Sequence, residues 1–562
     1  MTKKNQNLFI FENLNHFDYK KNKSNLNISF NRVTFIFFLF LTLSFIFSFK
    51  VLYLGSLEKN IYKKIIVKSD NRSTIIDREG NIIAKSVITK NVGINPNLVI
   101  DKKRLLINLQ LLFPNKDYKE INKKINGKKF FYFQKKISQV KYDELILLGD
   151  KSIVTEQKIS RIYPHKNLFS HLIGQIDDDN NGISGIERSL DYELKTIEEP
   201  LKLTLDTELQ YLIREELNYF SSIFKNIGSA AILMNINNGE ILSMVSLPDF
   251  DLNKREKIED VNYINRASKG VYELGSVFKT FTIAAGLENN VINTNTVFKN
   301  LKDKIKCDKY TISEHDKLPQ NLNTEQILIR SSNIGAVRIA QKLGIEKYKN
   351  FLNSLELLNT INFDLEEVGT PILFKWGKCK LATTSYGHGI TTTPLQLAKA
   401  YAILGNGGYK IQPSILKKNI KSLEKREQII SEKTSNEINL MLRKVVSLDE
   451  GTANFADIEG YEVAGKTGTA LKYNSKLKLN TFVSLFPASR PKYVLLVMLD
   501  EPKPAPNYVY EFPPSEKFPN GYKYKGETRN TSGWNTVVIA GKIIEKIGPI
   551  LAINNLEASN NF

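Results

Sequence analysis

An uncharged apolar run near the N-terminus constrains this chain more than any other feature of its sequence. From Val33 to Phe49 it reads VTFIFFLFLTLSFIFSF, and after Lys50 the residues 51–54 extend it. As a helix, residues 33–54 would be roughly 33 Å long at about 1.5 Å per residue, which is enough to cross a bilayer. A cleaved signal peptide has a shorter run followed by a small-x-small site, and a buried core helix seldom holds so many phenylalanines. We therefore predict an uncleaved signal anchor, with Lys50 reaching the membrane interface.

The charges before this run predict its orientation. Basic residues outnumber the acids Glu12 and Asp18 in residues 1–32. The positive-inside rule then keeps this tail in the cytoplasm. No second span is predicted. We expect a single-pass protein of the cytoplasmic (inner) membrane whose remaining residues lie outside it, in the periplasm of a Gram-negative cell. The basic residues are Lys3, Lys4, Lys20, Lys21, Lys23 and Arg32.

The length of the chain predicts more than one domain. Its 562 residues exceed what a single hydrophobic core usually organises. We predict a cytoplasmic tail (1–32), the anchor (33–54), a non-catalytic pedestal domain (55–200), a catalytic domain (201–550) and a short tail (551–562). The formal charge of +20 is spread along the chain among acids and without a nucleic-acid-binding motif, so it indicates solvated surface and no nucleic-acid partner.

Cysteine and histidine usage gives little support for a metal or a cofactor. The two cysteines, Cys307 and Cys379, form no Cys-x-x-Cys pair, and the five histidines are scattered. Neither a thiolate zinc site nor any other metal or cofactor site is predicted. One disulfide would be compatible with an oxidising compartment, but the sequence does not show whether the two thiols are close.

The apolar patterning of the second half predicts an antiparallel sheet with helices between its strands. Leu201–Leu205 reads as a strand and Asp206 as the cap of a following helix. Asn237–Gly239 divides two apolar runs and predicts a hairpin. Near the end, Thr481–Phe486 and Tyr493–Leu499 form a second strand pair around a turn. This arrangement indicates an α/β fold of the α+β type.

Three short motifs occur in a set order in this part. They are S-x-x-K at Ser276–Lys279, S-x-N at Ser331–Asn333 and K-T-G-T at Lys466–Thr469. Copies of S-x-x-K and S-x-N recur elsewhere in the chain, so either alone is weak, whereas K-T-G occurs once. The ordered set is typical of penicillin-interacting serine enzymes.

The first two motifs hold the groups that a serine nucleophile needs. Ser276 and Lys279 lie three residues apart, so on a helix they share a face. A lysine whose pKa is lowered by burial can take the proton of the serine hydroxyl. Ser331 and Asn333 are expected to approach from a second element and orient that lysine, and Ser331 to relay the proton to the leaving amine.

The third motif is suited to holding the substrate. The Lys466 ammonium can attract a terminal carboxylate, and Thr467 and Thr469 supply hydroxyls to the same group. Gly468 is expected to let the substrate backbone approach closely. The backbone N–H groups of Ser276 and Thr469 are predicted to form an oxyanion hole.

From about Arg72 to Ile547 the chain resembles the class B penicillin-binding proteins. In the pedestal, the resemblance rests on Arg72–Gly80, Arg161–Pro164, His171–Gly174 and Gly182–Glu187. Ser73 and Leu274 replace the glycine and the proline usual in the family. In the catalytic domain it rests on Asn265–Ala267, Tyr272–Ser276, Tyr386–Gly389 and Thr393–Leu397.

The resemblance implies a peptidoglycan D,D-transpeptidase. Its catalytic domain would have the serine D,D-peptidase and β-lactamase-like fold, an antiparallel sheet flanked by helices, on an elongated pedestal. Ser276 would attack the D-Ala–D-Ala bond of a stem peptide, carried on a lipid-linked precursor or nascent glycan, and the acyl group would pass to an amine on a neighbouring stem. β-Lactams would acylate the same serine. The implied partners are a polytopic membrane glycosyltransferase and other division proteins.

Several alternatives stay open. Ser331–Asn333, Gly465–Ala470 and Thr531–Asn535 resemble the septal, cell-division subtype more than the elongation subtype. A β-lactamase or β-lactam sensor shares the motifs but generally lacks a pedestal. A non-catalytic division scaffold and a binder of nucleic acid or anionic lipid are the other readings. The acceptor amine, the stem-peptide composition, the oligomeric state and the role of His388 are not fixed by the sequence.

Overall fold

The computed structural model describes most of the chain, in two units. One unit comprises Met1–Lys68 and the other Ser69–Phe562. The described residues are 23–56, 72–254, 260–308, 310–372, 374–417, 426–472, 475–512 and 519–560.

The first unit contains one long helix, α1 (Lys23–Ser56). It includes the whole of the predicted span 33–54. Within it, the 21 residues Arg32–Leu52 are long and apolar enough to cross a membrane, with a mean hydropathy of 2.3 over an 18-residue window. The remainder of the predicted cytoplasmic tail, residues 1–22, lies outside the described residues.

The N-terminal part of the second unit is built on a five-stranded sheet. Its order is β3-β2-β1-β5, with β4 also paired to the long strand β2. A small core of its own lies under this sheet and includes Val92, Leu105, Leu109 and Leu145. The strands are β1 (Ile75–Ile76), β2 (Ile82–Ile94), β3 (Phe131–Ile137), β4 (Ile153–Ile162) and β5 (Leu201–Lys202). The helices are α2 (Lys102–Leu112), α3 (Tyr118–Ile125), α4 (Gln139–Ile146), α5 (Ser170–Ile173), α6 (Gly185–Ser189) and α7 (Asp191–Thr196), with a 3-10 turn at Pro96–Leu98.

A buried ion network ties this part together. Glu187 accepts hydrogen bonds from Arg72 Nε at 2.8 Å and from Arg161 Nε at 2.7 Å, and all three side chains are almost fully excluded from solvent. Arg72 Nη1 lies 2.6 Å from Asp191 Oδ1. Because these residues come from separate segments, the network fixes how the segments meet.

The centre of the C-terminal part is a second five-stranded sheet, in the order β12-β13-β14-β6-β7 and antiparallel throughout. Both predicted strand pairs are confirmed. The pair around Asn237–Gly239 is β6 (Gly228–Asn235) and β7 (Ile241–Leu247), and the late pair is β13 (Lys478–Phe486) and β14 (Tyr493–Asp500). These strands are buried along almost their full length. The sheet therefore forms the middle of the main core.

Helices and short strands surround this sheet. The remaining strands are β8 (Val297–Phe298), β9 (Lys304–Cys307), β10 (Tyr310–Ser313), β11 (Leu322–Asn323), β12 (Ala464–Leu471), β15 (Val509–Phe512) and β16 (Tyr522–Lys525). The helices are α8 (Thr207–Phe224), α9 (Asp260–Tyr263), α10 (Phe278–Glu288), α11 (Thr324–Ile329), α12 (Asn333–Leu343), α13 (Ile345–Ser354), α14 (Lys378–Thr384), α15 (Pro394–Gly405), α16 (Glu432–Ser447) and α17 (Thr536–Asn560). Turns of 3-10 helix occupy Gly275–Val277, Asn454–Ala456 and Ser532–Trp534.

The strand predicted at Leu201–Leu205 is shorter than expected. Only Leu201–Lys202 forms a strand, β5, and it pairs with β1 of the N-terminal sheet. Beyond β5, Leu203 still donates its N–H to the Ile76 carbonyl and Leu205 accepts the Arg78 N–H. On its other side this segment contacts a distant one, because Leu203 makes a single bridge to Leu416 and Thr204 donates its N–H to Ile415. The predicted cap is confirmed, since the Asp206 carboxylate accepts the N–H groups of Glu208 and Leu209 at the start of α8.

Candidate active site

Ser276 lies in the 3-10 turn that leads into α10. Gly275 enters the turn with a φ of +67°, a backbone conformation that glycine adopts without strain. Every residue of this helix from Phe278 to Leu287 is buried. A helix enclosed on all sides is a core element, so Ser276 sits on a rigid support at only 8% exposure.

Lys279 faces Ser276 from the first turn of this helix. Its Nζ lies 2.9 Å from Ser276 Oγ, 3.0 Å from Ser331 Oγ and 2.6 Å from the Ser331 carbonyl oxygen. The lysine is fully buried. These three contacts hold its amine against the hydroxyl of the predicted nucleophile.

Ser331 joins the first and third motifs. Its Oγ lies 3.0 Å from Lys279 Nζ and also 3.0 Å from Lys466 Nζ. Its φ is +57°, which is uncommon for a serine and turns both its hydroxyl and its carbonyl toward Lys279. A single hydroxyl therefore connects two lysines and is placed to pass a proton.

Lys466 reaches the site from β12, the edge strand of the central sheet. Besides Ser331 it contacts the Thr467 carbonyl and hydroxyl oxygens, both at 3.3 Å. Among the residues that the structure describes, neither Lys466 nor Lys279 forms an ion pair with a carboxylate. Two buried amines without a neutralising partner are costly unless their pKa values fall or an anion binds.

Burial lowers the pKa values of both lysines. It brings the pKa of Lys279 to about 7, against the opposing effect of the Glu314 carboxylate. It also holds the pKa of Lys466 well below its usual range, and the charge of Lys279 adds to that effect. Near neutral pH a large fraction of Lys279 is therefore uncharged, the form that can accept a proton.

Position 468 requires glycine because a side chain there would clash with the protein's own backbone. A Cβ there would lie 2.2 Å from the Leu274 carbonyl oxygen, in the segment just before Ser276. A Cβ at Gly275 would lie 2.7 Å from the Thr469 carbonyl oxygen and 3.2 Å from its nitrogen. The backbone segments that carry Ser276 and Thr469 therefore adjoin, as an oxyanion hole from these two residues requires. The approach of a substrate to Gly468 stays a prediction.

The two threonine hydroxyls already have partners. Thr467 Oγ1 lies 2.9 Å from Thr452 Oγ1, and Thr469 Oγ1 accepts the Ser532 N–H at 3.0 Å. The Ser532 contact brings in the Thr531–Asn535 segment. These contacts fix the orientation of both hydroxyls beside Lys466.

Asn333 lies at the start of α12, buried beside the site. Its Nδ2 donates to the Ser313 carbonyl at 2.8 Å, while its Oδ1 has no hydrogen-bond partner among the described residues. Among the described residues, the amine of Lys279 contacts Ser276 and Ser331. The expected role of Asn333 in orienting Lys279 stays a prediction. Asn333 thus holds the Ser313 carbonyl with its amide nitrogen, and its buried oxygen is unpaired within the described part of the chain.

Two features near the site were not resolved by sequence reasoning. Glu314 accepts hydrogen bonds from the residues that follow Ser331, although it belongs to no motif. His388 Nδ1 lies 3.1 Å from the carboxylate of Glu273, three residues before Ser276. That contact is the main cause that raises the pKa of His388. In the sequence, Glu314 and His388 differ from other residues only in lying near a motif, and many residues do so.

The two cysteines are joined in a disulfide. Their Cα atoms lie 5.5 Å apart and they are 72 positions apart in sequence. The bond links β9 to α14. No free cysteine remains.

Comparison with known families matches both parts of the second unit. Residues 229–514 match the penicillin binding protein transpeptidase domain, and residues 68–215 match the penicillin-binding protein dimerisation domain.

Named relatives cover most of the chain. A probable peptidoglycan D,D-transpeptidase FtsI of Caulobacter vibrioides is 30% identical over 500 residues, covering 86% of this chain and 82% of the relative. Stage V sporulation protein D of Bacillus subtilis is also 30% identical, with 80% and 77% covered. A peptidoglycan D,D-transpeptidase FtsI of Buchnera aphidicola is 30% identical, with 87% and 94% covered.

One solved structure shares the fold. Penicillin binding protein 3 from Mycobacterium tuberculosis, complexed with aztreonam, superposes with a TM-score of 0.64 at 20% identity. The match covers 86% of this chain and 96% of that one.

Proposed function

Since the chain belongs to the class B penicillin-binding proteins, we propose that Ser276 is the nucleophile with which it cross-links peptidoglycan stem peptides. The protein is a serine-type peptidoglycan D,D-transpeptidase of the septal, FtsI-like type. The observation that carries the assignment of Ser276 is its 2.9 Å contact with the buried Lys279, whose amine also reaches Ser331.

The first half-reaction forms an acyl-enzyme. Ser276 Oγ attacks the carbonyl carbon between the two D-alanines while neutral Lys279 takes the hydroxyl proton. The N–H groups of Ser276 and Thr469 stabilise the oxyanion of the tetrahedral intermediate. The C–N bond then breaks, and the amine of the terminal D-alanine leaves with a proton that passes from Lys279 through the Ser331 hydroxyl.

The terminal carboxylate of the substrate is held by the third motif. Lys466, Thr467 and Thr469 line the same end of the site, and Lys466 lacks an acidic partner among the described residues. A bound carboxylate would supply that partner and favour the charged form of Lys466. Asn333 would contact the stem peptide through its side-chain oxygen.

The second half-reaction transfers the acyl group. The amine of a neighbouring stem attacks the carbonyl carbon of the Ser276 ester and gives a proton to neutral Lys279. The bond from that carbon to Ser276 Oγ then breaks, the new amide remains, and Lys279 returns the proton to Ser276 Oγ. Ser276 would open the ring of a β-lactam and form an ester with it. The lactam nitrogen would stay attached to the acyl group instead of leaving as D-alanine does.

The first unit and the family support a proposal for the cellular setting. We place the apolar segment Arg32–Leu52 across the inner membrane, with the N-terminus cytoplasmic because of the basic residues before it. The catalytic part would then face the periplasm. A polytopic membrane glycosyltransferase that polymerises glycan, together with other division proteins, would be the partners of such a protein.

A transfer assay tests this function. The full chain in detergent is given an acyl-D-alanyl thioester as donor and D-alanine as acceptor amine. We expect the thiol to be released and acyl-D-Ala–D-Ala to accumulate, and neither to occur with Ser276→Ala. Thiol release without any amide product, together with rapid turnover of a chromogenic β-lactam, would instead identify a hydrolase.

A further inference from the structure

Glu314 holds the start of the helix that follows the Ser331 turn. It comes directly after β10, and its carboxylate accepts hydrogen bonds from Ser332 Oγ at 2.6 Å, Asn333 N at 2.7 Å and Ile334 N at 2.9 Å. The two N–H groups belong to the first turn of α12, where an anion is also favoured by the helix dipole. One side chain therefore restrains three successive residues.

The turn held in this way is conformationally unfavourable. Ser331 has a φ of +57°, in the left-handed region that serine seldom occupies. Its carbonyl and hydroxyl are the groups that Lys279 contacts, and the hydroxyl also reaches Lys466. A turn of this kind persists only when its surroundings determine it. The hydrogen bonds of Glu314 to the three residues after Ser331 supply this restraint.

The segment that carries Glu314 is itself firmly attached. β9 and β10 form a hairpin, and Cys307 in β9 is bonded to Cys379 in α14. Ile312 of β10 packs with Val337 of α12 and Ala382 of α14 in a small separate core. The Ser313 carbonyl, one residue before Glu314, accepts the Asn333 amide.

Glu314 also acts on Lys279 through its charge. The charged or titratable groups that influence this region are Glu314, His315 and Asp316 after β10, Lys466 on β12 and Lys478 on β13. Glu314 is the group that opposes the effect of burial on the pKa of Lys279.

We propose that Glu314 is a positioning residue for acylation of Ser276, which acts by holding the Ser331–Asn333 turn against the two lysines. It does not touch the reacting atoms. The inference rests on the proposed function and names a group outside the three motifs on which that function depends.

The test is the rate of acylation by a fluorescent penicillin, measured on the full chain in detergent between pH 5 and 9. For Glu314→Gln we expect a fall of about 10- to 100-fold in the plateau rate, because the turn is displaced by a fraction of an ångström or more. We also expect the rising limb of the profile to move to lower pH, since a negative charge that favours protonated Lys279 has been removed. A purely structural role would not move the limb.

Two further variants separate charge from position. Asp308→Asn removes the same charge from the exposed turn of the same hairpin and should leave both rate and limb unchanged. Glu314→Asp keeps the charge but shortens the side chain, so the rate should fall while the limb stays in place. This variant carries the test if Glu314→Gln does not fold.

The outcomes distinguish this inference from the function on which it rests. Either a wild-type plateau rate or an unmoved limb in Glu314→Gln would overturn the role of Glu314 and leave Ser276 untouched. If Glu314→Gln does not fold, a wild-type rate in Glu314→Asp would overturn it. Failure of the parent chain to be acylated would instead overturn the proposed nucleophile.

Discussion

The amine of Lys279 lies 2.9 Å from the hydroxyl oxygen of Ser276, and both groups are shielded from solvent. In water a lysine amine is charged at neutral pH and cannot take a proton. Burial removes this obstacle here by lowering the pKa of Lys279 to about 7. Enclosure therefore gives Lys279 the neutral form that its proposed role as base requires.

The rate of penicillin acylation should depend on pH through Lys279. A lowered pKa means that the amine is neutral above about pH 7 and charged below it. At pH 5 only about one amine in a hundred would be neutral, so the rate should be roughly 100-fold below its plateau. Acylation rates from pH 5 to 9 at constant ionic strength check this. A flat profile would contradict the role of Lys279 as base.

Alanine at position 468 should damage the site through packing. Its Cβ would lie 2.2 Å from the Leu274 carbonyl oxygen, a backbone atom that cannot move away alone. We expect Gly468→Ala to destabilise the protein by about 1–3 kcal/mol and to slow acylation strongly. Thermal unfolding and acylation rate are measured together. Gly377→Ala, where a Cβ would meet no atom within 4 Å, is the matched control and should change neither much.

Reduction of the disulfide should destabilise the catalytic part. The bond closes a loop between positions 72 apart, for which loop closure predicts a contribution of about 4 kcal/mol. Dithiothreitol should therefore lower the melting temperature. It should also lower the acylation rate, because the disulfide holds the hairpin that carries Glu314. The double variant Cys307→Ser, Cys379→Ser should resemble the reduced protein and be indifferent to dithiothreitol. Equal melting of oxidised and reduced protein would count against this role.

Loss of charge at Glu187 should destabilise the N-terminal part severely. Its carboxylate is the shared partner of Arg72 and Arg161, and all three are buried. Glu187→Gln would leave both guanidinium groups short of a buried counter-charge, at a cost of about 3–5 kcal/mol. The exposed pair Arg188–Glu366 provides the comparison. Glu366→Gln should cost less than about 1 kcal/mol in the same thermal unfolding experiment. Similar losses in the two variants would contradict the account.

Much of the fold could be predicted from local patterns. The Asn237–Gly239 turn and the turn after Phe486 each lie between two apolar runs, and both hairpins are present. The Asp206 cap followed from a single residue type at a helix start. The length of β5 could not be predicted in this way, because the bridge from Leu203 to Leu416 depends on a residue far away in sequence.

The site was less fully predictable than the motifs suggest. The motifs identified Ser276, Lys279, Ser331 and Lys466, and the structure brings these four together. Glu314 was missed because its contacts arise only when the β9–β10 hairpin folds over the start of α12. The sequence predicted that Gly468 makes room for a substrate. It did not predict that the Leu274 carbonyl oxygen also requires glycine at this position. Contacts between distant segments leave no periodic signal in either case.

The central claim is that Ser276 is the acylated residue, and intact mass measures it directly. The full chain in detergent is incubated with a penicillin and followed for hours beside Ser276→Ala. We predict a gain of one penicillin mass that persists in the parent chain, maps to the peptide containing Ser276 and is absent from the variant. An unmodified parent that is correctly folded, or an equal adduct on Ser276→Ala, would contradict the claim.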